Sequence, residues 1–256
     1  MTDFRSIAFS LGWTVGRLKL CNRVILGYHG ISAAETGSYL TVRLDEFRWQ
    51  INFLQKHFKL GTVEEILEST DTKPMAAITI DDCYAELVPD TTDFINAEKI
   101  PVTYFAPSGL LGSTIDVVGK PLAVLDSDQL RNLEVNRGTV GSHTVSHRQL
   151  TDLAPDQQKD EISRSKSDLE QLTGHEISSF AYPRGKYDQS IRDMVEQAGY
   201  RYAVTVDSSS ISPGYDPFML PRISVHRSTS QSLFKFKMTN FGDSLLRFRN
   251  NRKIAR

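Results

Sequence analysis

Short apolar runs alternate along this chain with stretches whose hydrophobic positions recur at helical spacing. The clearest run, residues 76–80 (Ala-Ala-Ile-Thr-Ile), ends abruptly in two adjacent carboxylates, Asp81 and Asp82. An uninterrupted apolar run of this kind is typical of a strand buried on both faces of a parallel sheet. We therefore expect Asp81 and Asp82 at the carboxyl end of a central strand, where α/β folds place their chemistry.

The same patterns predict seven strands with helices between them. Strands are predicted over residues 24–29, 76–81, 101–106, 139–143, 179–183, 202–206 and 219–225. Helices are predicted over residues 44–58, 87–99, 126–133, 155–172 and 191–198, and another begins with a capping-box pattern at Thr62. Strands that alternate with helices and end in polar residues indicate a parallel α/β architecture. Seven strands, with candidate functional residues at several strand ends, favour a barrel over a doubly wound sheet.

Composition places the chain among ordinary globular proteins. It has 256 residues, a formal net charge of −1, 39% hydrophobic and 24% charged residues. Because no linker divides it, we predict one catalytic barrel over residues 23–230. Cys21 and Cys83 are too few for a disulfide framework and match no zinc spacing. The absence of a signal-peptide pattern and of a bilayer-spanning run predicts a cytoplasmic protein.

Both ends of the chain are amphipathic. Residues 1–22 carry apolar side chains at helical spacing, which fits a surface helix packed on the body or an interfacial helix on a membrane. Residues 231–256 form a predicted basic tail, with seven Lys or Arg against one acidic residue and interleaved aromatic side chains. Attraction of about 1 kcal/mol per basic residue to an anionic leaflet would allow peripheral contact with the inner membrane face. No nucleic-acid-binding motif accompanies this charge, so no nucleic acid partner is predicted.

A second reactive stretch, residues 142–147 (Ser-His-Thr-Val-Ser-His), places His143 and His147 four residues apart. If the chain turns helically from Val145, both imidazoles lie on one face. One carboxylate of the aspartate pair and two imidazoles make three protein ligands, the number that a catalytic metal site uses while leaving a position for water. The other carboxylate is then a candidate general base.

Three segments resemble, in order, the first three motifs of the polysaccharide deacetylase family, also called carbohydrate esterase family four. They are residues 79–82 (Thr-Ile-Asp-Asp), 142–147 and 182–185 (Tyr-Pro-Arg-Gly). The Tyr-His pair at 28–29 and the late segment 220–223 (Leu-Pro-Arg-Ile) are similar to the NodB-like branch associated with surface-polysaccharide and glycolipid assembly. The resemblance implies a distorted (β/α) barrel and hydrolysis of an acetyl group on a sugar.

The resemblance also implies individual roles. Asp82, His143 and His147 would hold a divalent metal, most often Zn²⁺, and Asp81 would be the general base. Zinc with three such ligands lowers the pKa of bound water toward ~7 and polarises a carbonyl. The residues implied to line the substrate groove are His29, Tyr182, Pro183, Arg184 and Gly185. A backbone N–H near Arg184 could help to hold the developing oxyanion.

Three departures from the family pattern change these expectations. Cys83 replaces the usual glycine after the aspartates, so the backbone there should suit a residue with a side chain. Ala181 stands where an arginine normally braces the base, and Arg222 is preferred over Arg184 to supply that charge. The motif that normally delivers a catalytic histidine is not clearly present.

His226 on the last strand is the best substitute for the missing general acid, and His29 is the second candidate. The alternative for each is a histidine satisfied by hydrogen bonds at the barrel rim.

The predicted function is metal-dependent removal of an N-acetyl, O-acetyl or formyl group from a sugar in glycan or glycolipid biosynthesis. Its partner would be an acylated amino sugar, in a polymer or linked to a lipid or nucleotide. A carbohydrate-binding pseudoenzyme is a second hypothesis, although retention of Asp81 counts against it. A non-haem iron oxygenase also uses two histidines and a carboxylate, but the α/β alternation argues against it.

Overall fold

The fold is described from a computed structural model of the chain. The structure describes residues 19–36, 38–117, 120–134 and 137–254, with side chains described as far as residue 248. The helix predicted over residues 1–22 therefore lies outside the described residues except at its last four positions. In the part of the chain that is described, no helix is both long enough and apolar enough to cross a bilayer.

A curled sheet of parallel strands forms the centre of the molecule. The strands are β1 (Arg23–Tyr28), β2 (Ile31–Ser32), β3 (Val42–Arg43), β4 (Lys59–Leu60), β5 (Met75–Asp81), β6 (Val102–Ala106), β7 (Thr114–Val117), β8 (Lys120–Ala123), β9 (Gly138–Ser142), β10 (Ser179–Ala181), β11 (Tyr202–Val204) and β12 (Ile223–Ser224). Seven of them pair in the order β11-β10-β9-β6-β5-β1-β12, and β4 also pairs with β5. This half-barrel confirms the predicted distorted (β/α) barrel and places β5 among its central strands.

Helices follow most of the strands and cover the sheet. They are α1 (Leu44–His57), α2 (Val63–Glu68), α3 (Asp90–Ala97), α4 (Ser127–Asn132), α5 (Pro155–Thr173), α6 (Gln189–Gln197), α7 (Gln231–Lys237) and α8 (Asn240–Ile254). The predicted capping box is present, because the Thr62 hydroxyl accepts from the Glu65 N–H and the Glu65 carboxylate accepts from the Thr62 N–H. Gly174 ends α5 with φ of 79°, a left-handed conformation that suits glycine.

Both faces of the central strands are buried, which explains their unbroken apolar sequences. All seven residues of β5 are buried. Ile25 and Ala77 belong to a cluster on one face, whereas Leu26 and Ile78 belong to the large cluster under the helices. The strands are therefore fixed in register from both sides, and the positions of the residues at their carboxyl ends are fixed with them.

Three regions differ from the sequence expectations. Strands β7 and β8 form an antiparallel hairpin within a segment that was predicted to be loop. The last strand of the sheet, predicted over residues 219–225, extends only over Ile223–Ser224. Helix α3, predicted over residues 87–99, begins only at Asp90, because Pro89 has no N–H to donate and interrupts the helix before that point.

The segment predicted as a basic tail forms α7 and α8, and α7 is packed against the barrel. Phe234 is fully buried and makes edge contacts with Trp49 and Phe53 of α1. Met238 is also fully buried. The basic tail predicted from the charge pattern is therefore helical, and two of its apolar side chains, Phe234 and Met238, belong to the core of the barrel.

Candidate metal and catalytic site

The two aspartates lie where the chain leaves β5. Asp81 is the last residue of the strand, and Asp82 and Cys83 both have left-handed backbones, with φ of 67° and 50°. The Cys83 N–H donates to the Asp81 carbonyl over 2.8 Å, which closes a sharp turn. The expectation that this backbone would suit a side chain is wrong, since left-handed φ values favour glycine. Cys83 is held there by complete burial and by a contact of 3.6 Å from its Sγ to the Phe105 carbonyl.

The two histidines lie on a loop after β9 and not on a helix. Thr144 and His147 have φ values of 66° and 56°, and these left-handed residues fold the loop back on itself. The His147 N–H donates to the Thr144 hydroxyl over 3.0 Å. The rings of His143 and His147 lie with their centroids 4.7 Å apart. The helical turn expected from Val145 is therefore wrong, although the two rings do meet.

Glu161 of α5 holds this histidine loop in place. Its carboxylate accepts from the backbone N–H of Val145 at 2.9 Å and of Ser146 at 2.8 Å, and also from the Ser146 hydroxyl. The Glu161 carboxylate thus satisfies two backbone N–H groups of the loop that would otherwise have no hydrogen-bond acceptor within a helix. The sequence did not indicate this role for Glu161, because the residue lies on α5 and belongs to none of the motifs.

Asp82, His143 and His147 form a group whose ligand atoms all lie within 4.8 Å of one another. Asp82 Oδ1 is 3.5 Å from His143 Nε2 and 3.3 Å from His147 Nε2. The His143 Nδ1 lies 2.7 Å from the Ala181 carbonyl, which can only accept, so a neutral ring carries its proton there. Its Nε2 then presents a lone pair toward the carboxylate, as in metal sites whose histidines donate through the other nitrogen.

These residues fit a divalent cation. Asp82 Oδ1 is buried and has no hydrogen-bond donor among the described residues. Burial, followed by the neighbouring His143, lowers the pKa of His147 to about 4, so the ring is neutral near pH 7. An unpartnered carboxylate oxygen beside the Nε2 atoms of two imidazoles matches the N/O donor set of zinc. The other Asp82 oxygen accepts from the buried Tyr84 hydroxyl, a positioning contact that sequence reasoning missed.

Asp81 makes a buried, two-pronged ion pair with Arg222. The guanidinium donates to Asp81 Oδ1 at 2.6 Å and to Oδ2 at 2.7 Å. It also donates to the Thr79 hydroxyl and to the Thr205 carbonyl, both at 2.9 Å. Burial acts to raise the pKa of Asp81, but the charge and hydrogen bonds of Arg222 outweigh it and hold that pKa well below its usual range. Arg222 thus occupies the place for which it was preferred over Arg184.

A cavity of about 1020 Å³ opens in front of these groups. Among the residues predicted to line a substrate groove, His29 and Arg184 do line it. Tyr182 and Pro183 do not line it and are buried. The Tyr182 hydroxyl donates to the Phe218 carbonyl over 3.0 Å, so the prediction that it contacts substrate is wrong. Tyr182 belongs to the motif at residues 182–185, but its ring faces the core of the barrel.

Gly185 shapes the cavity wall and also does not line the cavity. It has φ of 64°, and a Cβ built there would lie 2.3 Å from Val206 Cγ2. Glycine is therefore required for the backbone to pass Val206, which is one of the lining residues.

The two candidate acids, His29 and His226, both line the cavity but have different surroundings. His29 Nε2 lies 4.0 Å from Asp81 Oδ2. The His226 ring lies against Tyr39, with ring centroids 5.7 Å apart. Burial, followed by the charges of Lys237 and His29, lowers the pKa of His226 to about 4.

Other lining residues were missed in the sequence. Tyr39 is 60% exposed at the mouth of the cavity, and Asp116 and Val117 reach it from the β7–β8 hairpin. The sequence could not indicate that Tyr39 lies at the cavity, because the residues around it carry no periodic pattern.

Comparison with known proteins agrees with this geometry. A family model described as polysaccharide deacetylase matches residues 68–203, more than half of the chain. The chain belongs to the polysaccharide deacetylase family. That match includes both aspartates, both histidines of the loop and the turn at Arg184.

Relatives of this deacetylase family member cover most of its length. YxkH of Bacillus subtilis (strain 168) is 26% identical over an alignment of 219 residues, which covers 82% of this chain and 74% of the relative. The poly-β-1,6-N-acetyl-D-glucosamine N-deacetylase of Staphylococcus aureus (strain MRSA252) is 22% identical over an alignment of 221 residues, which covers 81% of this chain and 75% of the relative. The solved structure of the Streptococcus pyogenes deacetylase PplD in complex with acetate superposes with a TM-score of 0.74 at 21% identity, covering 86% of this chain and 99% of that one. These likenesses support the same fold.

Proposed function

We propose that this protein is a metal-dependent hydrolase that removes an N-acetyl group, or an O-acetyl or formyl group, from a sugar in glycan or glycolipid biosynthesis. The observation that carries the proposal is one cavity that holds a three-ligand cluster with an unpartnered carboxylate oxygen and, next to it, an ionised aspartate. Family membership and the N-deacetylase activity named for the Staphylococcus aureus relative support an amide-bearing sugar as the substrate.

The chain's own residues would divide the chemistry between them. A divalent metal, when bound by Asp82, His143 and His147, supplies a Lewis acid that polarises the acyl carbonyl and acidifies a water. Asp81 is placed to accept the proton of that water, and Arg222 keeps its carboxylate ionised and oriented. Because its lowered pKa makes Asp81 a weak base, most of the driving force for proton transfer must come from the acidity of the water.

The leaving amine needs a proton, and we propose His29 as its donor in place of His226. His29 Nε2 lies beside the Asp81 carboxylate, the group that takes up a proton in the first half of the reaction. His226, whose pKa is about 4, is almost entirely unprotonated near pH 7. A general acid must carry its proton at the working pH.

His29→Ala is expected to lower kcat for an amide substrate by about 10²–10³-fold, a typical contribution of a general acid. His226→Ala is expected to cost less than tenfold. An aryl acetate has a leaving group that needs no protonation, so its hydrolysis should show a much smaller His29→Ala defect. Steady-state kinetics with both substrates and equal metal loading measure this difference. If His226→Ala lowers kcat more than His29→Ala does, and only for the amide substrate, then His226 and not His29 is the general acid.

The test of the proposed function is release of acetate or formate from a panel of polymer-, lipid- and nucleotide-linked acyl amino sugars, with and without chelator. We expect release from at least one class, loss of release with chelator, and recovery with added Zn²⁺. Asp82→Ala, His143→Ala and His147→Ala should each lose stoichiometric metal by elemental analysis, since two remaining ligands do not make a catalytic site. His175→Ala, a half-exposed histidine outside the site, is the matched control and should keep its metal. Full occupancy in all three ligand variants would overturn the ligand assignment.

The alternative functions fit the structure less well. The parallel half-barrel differs from the jelly rolls on which two-histidine, one-carboxylate iron sites more usually occur. A carbohydrate-binding pseudoenzyme has no need of the buried ion pair between Asp81 and Arg222, because binding a metal or a sugar requires no ionised carboxylate beside the ligand cluster.

A further inference from the structure

The lining of the cavity extends well beyond the metal ligands and includes an apolar wall. The C-terminal helices contribute Leu233 and Phe236 from α7 and Leu245 and Leu246 from α8. All four side chains are partly exposed, and they share one continuous cavity with the histidine loop. At about 1020 Å³ this cavity lies at the upper limit of the roughly 300–1,000 Å³ usual for small-molecule sites. A single acylated sugar leaves much of it unfilled.

This apolar wall is firmly built. The backbone N–H of Ser210 donates to the Asp243 carboxylate, and Arg247 bonds Asp243 and the Tyr215 hydroxyl, which fixes α8 to the barrel. Helix α7 is anchored by the buried Phe234. The two helices also touch closely, because a Cβ built on Gly242 would lie 2.1 Å from the Phe236 carbonyl oxygen. The four apolar side chains are therefore held at the cavity by fixed helices.

The lining of the cavity also includes a cation. Lys237 lines the cavity, and its ammonium donates to the Ser224 carbonyl over 2.8 Å. Its charge acts on His226, a residue that also lines the cavity beside Tyr39. The same cavity therefore presents the metal ligands and Asp81, this cation and four apolar side chains. That combination matches a polar head group, an anionic linkage and a hydrocarbon chain.

We propose that the substrate is an acylated amino sugar joined through a phosphate to a long hydrocarbon chain, with the chain lying against Leu233, Phe236, Leu245 and Leu246. This inference rests on the proposed hydrolysis of an acyl group and names the substrate class of the same site. The phosphate lies next to Lys237. A polymeric amino sugar would instead bring hydroxyl groups against four apolar side chains, where they find no hydrogen-bond partner.

Binding of decyl phosphate and methyl phosphate to the full-length, metal-free protein tests the chain site without any catalysis. Each buried methylene should strengthen binding about fourfold, and we expect decyl phosphate to bind at least about 100-fold more tightly by calorimetry below its micelle concentration. Phe236→Ser should weaken decyl phosphate binding at least about tenfold, and Leu245→Ser is the second variant if Phe236→Ser folds poorly. Phe248→Ser is the matched control, since Phe248 lies on α8, is 57% exposed and does not line the cavity. Lys237→Gln should weaken decyl phosphate binding about tenfold and leave decanol binding unchanged.

Turnover then separates this inference from the proposed function. The metal-loaded enzyme is assayed with three substrates. They are the decyl diester of N-acetylglucosamine 1-phosphate, its methyl diester and a water-soluble β-1,6-linked N-acetylglucosamine oligomer. The N-formyl form of each substrate is assayed as well. We expect the decyl diester to have the highest kcat/KM, and Phe236→Ser to remove its advantage over the methyl diester. Equal binding of the two phosphates, an equal loss in Phe248→Ser, or faster hydrolysis of the oligomer would overturn the lipid-linked substrate while leaving the hydrolase intact. Binding of decyl phosphate without acyl release from any of these substrates or from the wider panel would overturn the hydrolase function.

Discussion

Asp81→Asn is expected to lower kcat about 10³-fold while leaving the bound metal at wild-type stoichiometry. The amide cannot accept the proton of the attacking water, and a positioned base typically contributes a factor of ~10²–10⁴. Asp81 also lies outside the ligand group of Asp82, His143 and His147, so metal affinity should change little. Acyl release and elemental analysis on the same preparation measure the two effects.

The control for this substitution is Asp128→Asn, an exposed carboxylate on α4 that does not line the cavity, which should keep full activity. Because Asn places an NH₂ group next to the Arg222 guanidinium, the variant should also unfold at a lower temperature. A soluble, folded Asp81→Asn enzyme with wild-type turnover would show that Asp81 is not the general base. Loss of metal together with activity would instead make Asp81 a ligand.

Arg222→Met should lower the free energy of unfolding by about 3–5 kcal/mol near pH 7, which is typical when one partner of a buried ion pair is removed. Both side chains of the pair are almost fully buried, so the Asp81 carboxylate would remain in the protein interior without a cation. In the wild type, its lowered pKa contributes stability that is present above the ordinary value near 3.8 and is lost only as the pH falls through the native value. In the variant, burial raises that pKa without the opposing charge and hydrogen bonds of Arg222.

The stability difference between the two proteins therefore depends on pH. The loss of stability caused by Arg222→Met should shrink as the pH falls from 8 to 5, because protonation removes the buried charge of Asp81. His147 and His226, whose pKa values are lowered in the folded protein, should weaken both proteins equally over this range and cancel in the difference. Denaturant unfolding at several pH values measures both curves. The double variant Arg222→Met with Asp81→Leu is the control and should recover part of the loss. A stability of Arg222→Met that matches the wild type and has the same pH dependence would show that the ion pair does not hold the base.

Activity gives a second measurement of the same contact. Because Asp81 of Arg222→Met would be protonated at higher pH, the acid limb of the pH–rate profile should move upward relative to the wild type. Metal content should fall less than the rate, since Arg222 contacts none of the three ligands in the described hydrogen bonds.

Local sequence predicted most of the scaffold. The apolar run before Asp81 predicts a doubly buried strand, and β5 is one, because periodicity reports directly on which faces of an element are covered. The capping box at Thr62 and the glycine at 174 likewise mark helix ends through hydrogen bonds and φ values that involve only neighbouring residues. Motif order then indicated the metal ligands and the base.

Tertiary structure decided how those groups are used. The bidentate contact to Asp81 comes from Arg222, 141 residues away, and the apolar end of the cavity comes from helices that looked like a charged tail. His143 and His147 meet through left-handed residues and Glu161, although their spacing predicted a helix. Sequence thus determined the strands, the helices and the reactive side chains, because those follow from local periodicity. Which of these side chains face the cavity, and which partners set their charge, was decided by packing between distant segments that no local pattern encodes.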